Sequence, residues 1–192
     1  MELSSITPTA AGLRALAHPT RLRILGLLRS EGPATATTLA ARLDLNTGAT
    51  SYHLRQLARH GFIDEDDQRG NARDRWWRAI HQATRTDPEG YAGQEEQDTF
   101  GAYLQAVAVV HTQRLQRAVE ERALLPAEWR KASTCSDWEL SVTPARAREL
   151  LDAIAAVVEG WEEQPDAPDA GHLVVQLHAF PASAGGHAWR EQ

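Results

Sequence analysis

The sequence of 192 residues contains only one cysteine, Cys135, and one lysine. A single cysteine excludes a disulfide within the chain and is typical of proteins from a reducing compartment. No apolar run approaches the roughly 18 residues that a membrane-spanning helix requires. The first residues lack both the positive charge and the apolar stretch of a signal peptide. We therefore expect a soluble, cytoplasmic protein without membrane contacts.

Motifs of common enzyme sites are missing too. The sequence contains no glycine-rich phosphate loop, no His-Glu-x-x-His metal motif and no Gly-x-Ser-x-Gly nucleophile motif. A hydrolase or a nucleotide-dependent enzyme normally needs one of these arrangements, or paired acid–base groups beside a pocket. We predict that the protein is not an enzyme and that it uses no cofactor.

Charge is unevenly distributed along the chain. The net charge is −6, but residues 1–86 contain twelve arginines against eight acidic residues, a net of +4, whereas residues 87–192 have a net of −10. A basic first half beside an acidic second half is expected where only one part of a protein contacts phosphate. Uneven solvent-exposed charge is the alternative interpretation that composition alone leaves open.

The first 80 residues show an order of elements typical of a winged helix-turn-helix. Apolar spacing and breakers predict helices from Thr9 to Ala17, from Arg21 to Ser30, after a cap at Thr35 or Thr37, and from Thr47 to His60. Gly61 should end the last helix, for which Asn46 is a suitable N-cap. Two strands, 62–68 and 74–80, follow as a hairpin around Gly70-Asn71.

The helix that starts at Thr47 fits the requirements of a recognition helix. Thr50, Leu54 and Leu57 fall on one apolar face, while short polar side chains occupy the opposite face. A helix that enters the major groove needs donors of this kind in its N-terminal half. A helix with an ordinary solvated polar face is the competing interpretation. An arginine-rich hairpin tip favours DNA, because such a wing suits phosphate or minor-groove contacts.

The second half of the chain is predicted to contain a long helix and a small module. A helix from about Gln97 to Leu125 has an apolar stripe that is too long for one small core, so part of it should meet another chain. A strand at 137–142, a helix from Pro144 to Trp161 and a strand at 172–180 follow. The predicted fold is mostly α with small β: a winged helix-turn-helix domain at 1–85, then a dimerisation helix and a strand–helix–strand module at 86–192.

Three linked motifs carry a family resemblance. Residues 16–25 read LAHPTRLRIL, residues 51–57 read SYHLRQL and residues 60–63 read HGFI. Together they resemble the ArsR-type winged-helix repressors over roughly residues 10–80. The resemblance implies a homodimer that binds a pseudo-palindromic operator until an effector releases it. It also implies that Arg21 lies near the DNA backbone and that His53 is a structural residue.

The sequence departs from the metal sensors of that family. Where those proteins have a cysteine pair, residues 41–45 contain no thiol, and the long helix offers only His111. In the tail, His172 and His178 would lie about 20 Å apart along a strand, which is too far for a joint site. We predict no metal site and treat Cys135 as an incidental thiol.

The sequence contains two sets of candidate residues, one for contact with DNA and one for a dimer interface. The residues predicted to contact double-stranded DNA are Arg21, Thr37, Thr47, Gly48, Ser51, Tyr52, Arg55, Arg69, Asn71 and Arg73. The residues predicted at the dimer interface are Phe100, Leu104, Val107, His111 and Leu115. The expected function is a sequence-specific regulator, a repressor with a small-molecule effector as a further partner. The alternative is a winged-helix protein-interaction module that does not bind DNA.

Overall fold

The computed structural model describes residues 4–69, 74–87 and 90–181. The helices are α1 (Ala10–Leu16), α2 (Pro19–Ser30), α3 (Ala36–Leu43), α4 (Thr47–Arg59), α5 (Gln94–Glu121), α6 (Ala127–Ala132) and α7 (Pro144–Glu159). The strands are β1 (Ser5–Ile6), β2 (Ala34–Thr35), β3 (Ile63–Glu65), β4 (Trp76–Ala79) and β5 (Ala83–Thr84). The mostly helical winged helix-turn-helix with a long following helix is therefore confirmed.

Side-chain caps set where the first four helices begin. The hydroxyls of Thr9 and Thr35 and the amide oxygen of Asn46 each accept a hydrogen bond from a backbone N–H in the first turn. Such caps satisfy donors that the helix itself leaves free. One detail differs from the sequence prediction: α2 starts at Pro19 rather than Arg21, and Nδ1 of His18 accepts from the N–H of Thr20. Of the two caps predicted for α3, Thr35 is the one that forms.

One apolar core holds α1 to α4 and the hairpin together. Its least exposed side chains come from each of these elements: Leu13, Leu16, Ile24, Leu25, Leu39, Leu54, Leu57, Phe62 and Ile63. Gly61 has a φ of +74°, the left-handed conformation that ends α4 and turns the chain into β3. The direction of α4 is therefore fixed on one side by the core and at its end by a turn.

The sheets are smaller than predicted and contain strands that sequence analysis missed. β4 pairs antiparallel with β3, and β2 pairs with its other edge through Ala34–Trp77 and Thr35–Trp76. β1 and β5 form a separate parallel pair of two residues each. Arg29 of α2 supports this pair, since it donates to the carbonyls of His81 and Ala83 and to the hydroxyl of Thr84.

α5 packs on its own domain with one face. Tyr103, Ala106 and Val110 are its buried residues, and Phe100 and Val107 pack against the same core. Phe100 and Val107, predicted at the dimer interface, are partly buried by the chain's own core, and their contact with a second chain stays a prediction. Leu104 and Leu115 remain 46% and 47% exposed on a neighbouring face of the helix.

The predicted strand–helix–strand module is wrong in its strands. α7 forms at the expected place, with Thr143 as N-cap and Pro144 in the first turn. Residues 137–142 and 172–180 have no regular secondary structure and pair with no strand in the part of the chain that is described. Leu150 and Val158 are exposed, and no residue of α7 is buried.

Hydropathy of the helices bears on membrane contact. Over residues 4–69, 74–87 and 90–181, no helix combines the length and the apolar character needed to cross a bilayer.

Candidate nucleic-acid interface

α4 presents one face to the core and the other to solvent. Thr50, Leu54 and Leu57 are completely buried, as their spacing predicts. The hydroxyl of Thr50 donates to the carbonyl of Asn46, which satisfies the only polar group on that face (3.1 Å). With these three side chains fixed, the helix cannot rotate, and its opposite face is held towards solvent.

The solvent face of α4 begins at the helix N-terminus. Oδ1 of Asn46 accepts from the N–H of Ala49 at 2.7 Å, and Thr47 and Gly48 beside it are exposed. A Cβ at Gly48 would meet only Oδ1 of Asn46, at 3.4 Å, so the backbone here can be approached closely from outside. Helix N-termini of this kind carry partial positive charge, which favours an approaching phosphate.

Further along, the same face carries larger side chains. Tyr52 is 53% exposed, and Arg55 is exposed one turn later. Arg59 continues the row at the next helical position and is exposed too. Neither arginine makes an ion pair with a described residue. This row supplies a phenol and two guanidinium groups that are free to meet an outside partner.

A cleft of about 390 Å³ lies between α4, the start of α3 and the hairpin. Thr37, Ser51 and Arg55 line it, so the fold brings these three predicted DNA contacts together. Arg75 and Trp77 of the hairpin close its other side, and the guanidinium carbon of Arg75 lies 5.9 Å from the centre of the Trp77 ring. Hydroxyls and guanidinium groups that converge in an open cleft are donors suited to phosphate oxygens.

The hairpin arginines are partly neutralised by their neighbours. Arg69 lies 3.8 Å from Asp66, Arg75 lies 3.2 Å from Glu65, and Arg78 lies 3.9 Å from Asp64. The pairs of Arg75 and Arg78 are solvent-exposed at both partners, and such pairs contribute about 0–1 kcal/mol each. These two arginines can therefore exchange a carboxylate for a phosphate at little cost. In the pair of Arg69, the side chain of Asp66 is largely buried. Asn71 and Arg73, predicted at the tip, lie outside the described residues.

Arg21 lies in a group of aromatic side chains below α4. Burial lowers the pKa of the imidazoles of His18, His53 and His60 below the usual range, and the positive charge of Arg21 lowers it further. The rings of His18 and His53 are 4.7 Å apart, and that of Tyr52 is 5.6 Å from His53. Nε of Arg21 and Nδ1 of His53 are buried without a hydrogen-bond partner in the described structure. This setting keeps His53 neutral and structural.

Arg59 and Arg75 of this surface are not among the residues predicted to contact DNA. Arg59 could have been found from its spacing, because it follows Arg55 by four residues. Arg75 lines the cleft because β4 pairs with β2, and no local sequence pattern predicts that pairing. In the tail, Nε2 of His178 lies 3.0 Å from Nδ1 of His111 on α5, a contact between residues 67 positions apart.

Within residues 4–69, 74–87 and 90–181, no three histidine, cysteine, aspartate or glutamate side chains are grouped so that they could hold a metal ion. Cys135 is exposed.

Comparison with known proteins gives one sequence-family match. Residues 16–66 match the family model described as a helix-turn-helix domain. No curated protein matches the chain.

Solved structures give partial likenesses. One is described as a possible transcriptional regulator for arsenical resistance, with 29% identity over 52% of this chain and 93% of that chain, and a TM-score of 0.32. ZitR of Lactococcus lactis, a mutant in apo form, has 16% identity over 72% of this chain and 81% of its own, with a TM-score of 0.32. RV1404 of Mycobacterium tuberculosis has 18% identity over 80% and 83%, with a TM-score of 0.31.

The range matched by the family model contains the helices that form the candidate interface. It begins in α1, includes α2, α3 and α4, and ends in the first strand of the hairpin, so it contains the whole solvent face of α4. The ArsR-like motifs at 16–25, 51–57 and 60–63 all lie inside it. Residues 16–66 of this chain therefore form a helix-turn-helix domain of the winged-helix kind, and their motifs resemble those of the ArsR-type DNA-binding regulators.

Proposed function

We propose that this protein is a homodimeric repressor that binds a pseudo-palindromic operator through α4. The observation that carries the proposal is the solvent face of this helix, where Thr47, Gly48, Tyr52 and Arg55 are exposed above a fully buried opposite face. In this arrangement the N-terminal half of α4 enters the major groove, and Arg55 donates to a guanine edge or to a phosphate.

The remaining contacts position the protein on the DNA backbone. Thr37 and Ser51 donate from the cleft beside α4, and Arg69 of the hairpin reaches a neighbouring phosphate. Asn71 and Arg73 belong to the same proposed contact, and Arg21 acts from below α4 through the exposed part of its side chain. Contacts of this kind fix register and carry no base specificity by themselves.

A homodimer is supported by the second face of α5. Leu104 and Leu115 are about half exposed there, and Val119 is 61% exposed at the end of the helix. Since apolar residues at this spacing form a continuous stripe, pairing of two α5 helices would remove it from water. A two-fold dimer also presents two α4 helices to two half-sites about one DNA turn apart.

Release by a small molecule is the final part of the proposal. A polar cleft of about 580 Å³ lies between the β1–β5 pair and α7, with Ser5, Arg85 and Arg148 among its lining residues. Arg85 lies 3.2 Å from Glu159 and 3.8 Å from Asp152 of α7. An effector that entered this cleft would compete for ion pairs that join the DNA-binding part to the C-terminal part. The repressor would act in the cytoplasm.

Binding to the promoter region of its own gene tests the proposal. The purified protein is titrated against that DNA and against unrelated DNA of equal length at two salt concentrations. A DNA-binding repressor should prefer the promoter, and its affinity should fall steeply with salt because phosphate contacts release counterions. Equal, weak binding to both fragments at both salt concentrations would contradict the proposal and favour the protein-interaction module.

A further inference from the structure

Arg114, in the second half of α5, has a guanidinium group without an acceptor. The residue is half-buried, and burial lowers the pKa of its guanidinium. It makes no hydrogen bond or ion pair with a described residue. Arg29 of α2, by contrast, donates to two carbonyls and a hydroxyl. Because a cation that loses solvent is stabilised by an acceptor, Arg114 has donors available for a group from outside the chain.

The groups around Arg114 add positive charge and do not balance it. Burial and, to a smaller extent, the charge of Arg114 lower the pKa of Arg29 to about 10. Burial, His178 and Arg114 lower the pKa of His111, which precedes Arg114 by one helical turn. Within the part of the chain that the structure describes, none of Arg29, His111 and Arg114 forms an ion pair. A half-buried region of one charge sign attracts ions of the opposite sign.

Gly26 of α2 leaves the space that this guanidinium occupies. A Cβ at Gly26 would lie 2.5 Å from Nη2 of Arg114, so the group lies directly against the backbone of α2. Packing therefore sets the position of the guanidinium, although no acceptor holds it there. The nitrogen atoms of Arg114 are not among the side-chain atoms that are sealed from solvent without a partner. A guanidinium fixed in this way presents its free donors in a defined direction, which suits the oxygen atoms of an oxyanion.

The C-terminal tail, residues 171–181, brings further donors to the same part of α5. Nε2 of His178 lies 3.0 Å from Nδ1 of His111, so the tail passes within about one helical turn of Arg114. Gln176 is the one residue of 171–180 that is not exposed, and its Nε2 is buried without an acceptor in the described structure. Amide and guanidinium groups both donate to oxyanions. Donors thus exceed acceptors on both sides of this contact.

The donor set selects the chemistry of the ligand. A metal cation would be repelled by Arg29 and Arg114, and an apolar molecule would leave the guanidinium without an acceptor. An oxyanion supplies both negative charge and several acceptor oxygens.

We propose that Arg114, together with His111, Gln176 and His178, forms a binding site for a small oxyanion, either a tetrahedral one of the phosphate type or a carboxylate. The bound group accepts from Arg114 and from Gln176, and it joins α2, α5 and the tail. The site shares no residue with the exposed face of α4 or with the cleft that Arg85 lines. It therefore does not depend on the proposed repressor or on its effector cleft.

Nuclear magnetic resonance of the full-length protein tests the site. The Nε–Hε signal of Arg114 and the imidazole signals of His111 and His178 are followed during titration with sodium phosphate, sodium sulfate or sodium acetate. Sodium chloride at equal ionic strength is the reference. We expect saturable shifts with phosphate or sulfate for a tetrahedral oxyanion, and saturation by acetate alone for a carboxylate. Shifts that match those in chloride for all three anions would overturn the inference.

Variants locate the binding at Arg114. Arg114→Gln should weaken the response of the His111 and His178 signals at least about tenfold, because it loses the charge and the forked donors. Arg117→Gln removes an equal charge from an exposed position one turn later and should respond as the wild type does. Unchanged affinity in Arg114→Gln would overturn the inference.

A glycine pair tests the role of α2 without a change in charge. Gly26→Ala places a methyl group where Nη2 of Arg114 lies, so it should displace the guanidinium and weaken phosphate binding. Gly101→Ala is the matched control, because a Cβ at Gly101 of α5 meets nothing within 4 Å. Equal affinity of the two variants would overturn the placement of the site against α2.

Arg55→Ala separates this site from the proposed DNA contacts, to which phosphate can also bind. The signals of His111 and His178 in this variant should respond to phosphate as in the wild type. If they do and promoter DNA is not preferred, the repressor proposal fails and the oxyanion site stands. If promoter DNA is preferred but these signals respond only as they do to chloride, the inference alone fails.

Discussion

Nδ1 of His111 and Nε2 of His178 lie 3.0 Å apart, which joins the middle of α5 to the extended tail. One ring must donate and the other accept, so at least one facing nitrogen is unprotonated. Burial, together with the charges of His178 and Arg114, lowers the pKa of His111 from 6.5 to about 4. The folded protein therefore holds this imidazole in its neutral form near neutral pH.

The first prediction concerns pH and stability. Since the folded state binds a proton at His111 less readily than the unfolded state does, the contribution of His111 to the free energy of unfolding is complete above pH 6.5. It is lost as pH falls from 6.5 towards about 4. His111→Gln has no titrating group there, so its free energy of unfolding should fall less steeply over this range. Urea denaturation at several pH values measures the difference.

Parallel curves for His111→Gln and the wild type would contradict the assignment of this pH dependence to the α5–tail contact.

The second prediction concerns Arg55. If its guanidinium makes a bidentate contact with a base, Arg55→Ala should weaken promoter binding by about 1–3 kcal/mol and reduce the preference over unrelated DNA. If it contacts a phosphate, affinity should fall alike for all sequences and the salt slope should shrink by about one. Titrations of both DNA fragments at two salt concentrations distinguish these results.

Arg117→Ala removes an equal charge from an exposed position on α5 and should leave binding unchanged. Wild-type affinity and salt slope in Arg55→Ala would show that the exposed face of α4 is not the reading face.

The third prediction concerns the cap of the recognition helix. Asn46→Ala removes the acceptor for the N–H of Ala49 and should lower the free energy of unfolding by about 1 kcal/mol. Asn46→Asp restores an acceptor and should restore stability, but its negative charge should repel DNA phosphates and weaken promoter binding. Urea denaturation and DNA titration of both variants measure the two effects separately.

Thr47→Ala, next to the cap, serves as the stability control and should stay within about 0.5 kcal/mol of the wild type. Equal stability of Asn46→Ala and the wild type would mean that the cap does not hold α4 in place.

The fourth prediction concerns the dimer along α5. Leu104→Glu with Leu115→Glu places charges on the exposed apolar face and should give monomers in sedimentation experiments. Val107 is unsuitable for this purpose, because it packs against the chain's own core and its substitution would destabilise the fold. Val109→Glu, at an exposed valine on another face of the helix, should remain dimeric. Dimers of the double variant would place the interface elsewhere.

Local sequence patterns predict where the first four helices form and which face of α4 is buried. The spacing of Thr50, Leu54 and Leu57 predicted the buried side of α4, and Asn46 and Gly61 marked its ends. These features are local, because helical periodicity, side-chain capping and the freedom of glycine act over a few residues. The solvent face of α4, and with it most of the candidate DNA contacts, follows from the same pattern.

Which apolar faces pack together depends on contacts between segments that are far apart in the sequence. Phe100, Val107 and Leu104 lie on one predicted stripe of α5, yet the first two pack on the core and the third remains exposed. The pairing of β2 with β4, which brings Arg75 to α4, and the meeting of His111 with His178 depend on chain segments far apart in sequence. Strand pairing needs a partner edge that no local pattern specifies, so 137–142 and 172–180 have strand-like sequences without forming strands in one chain.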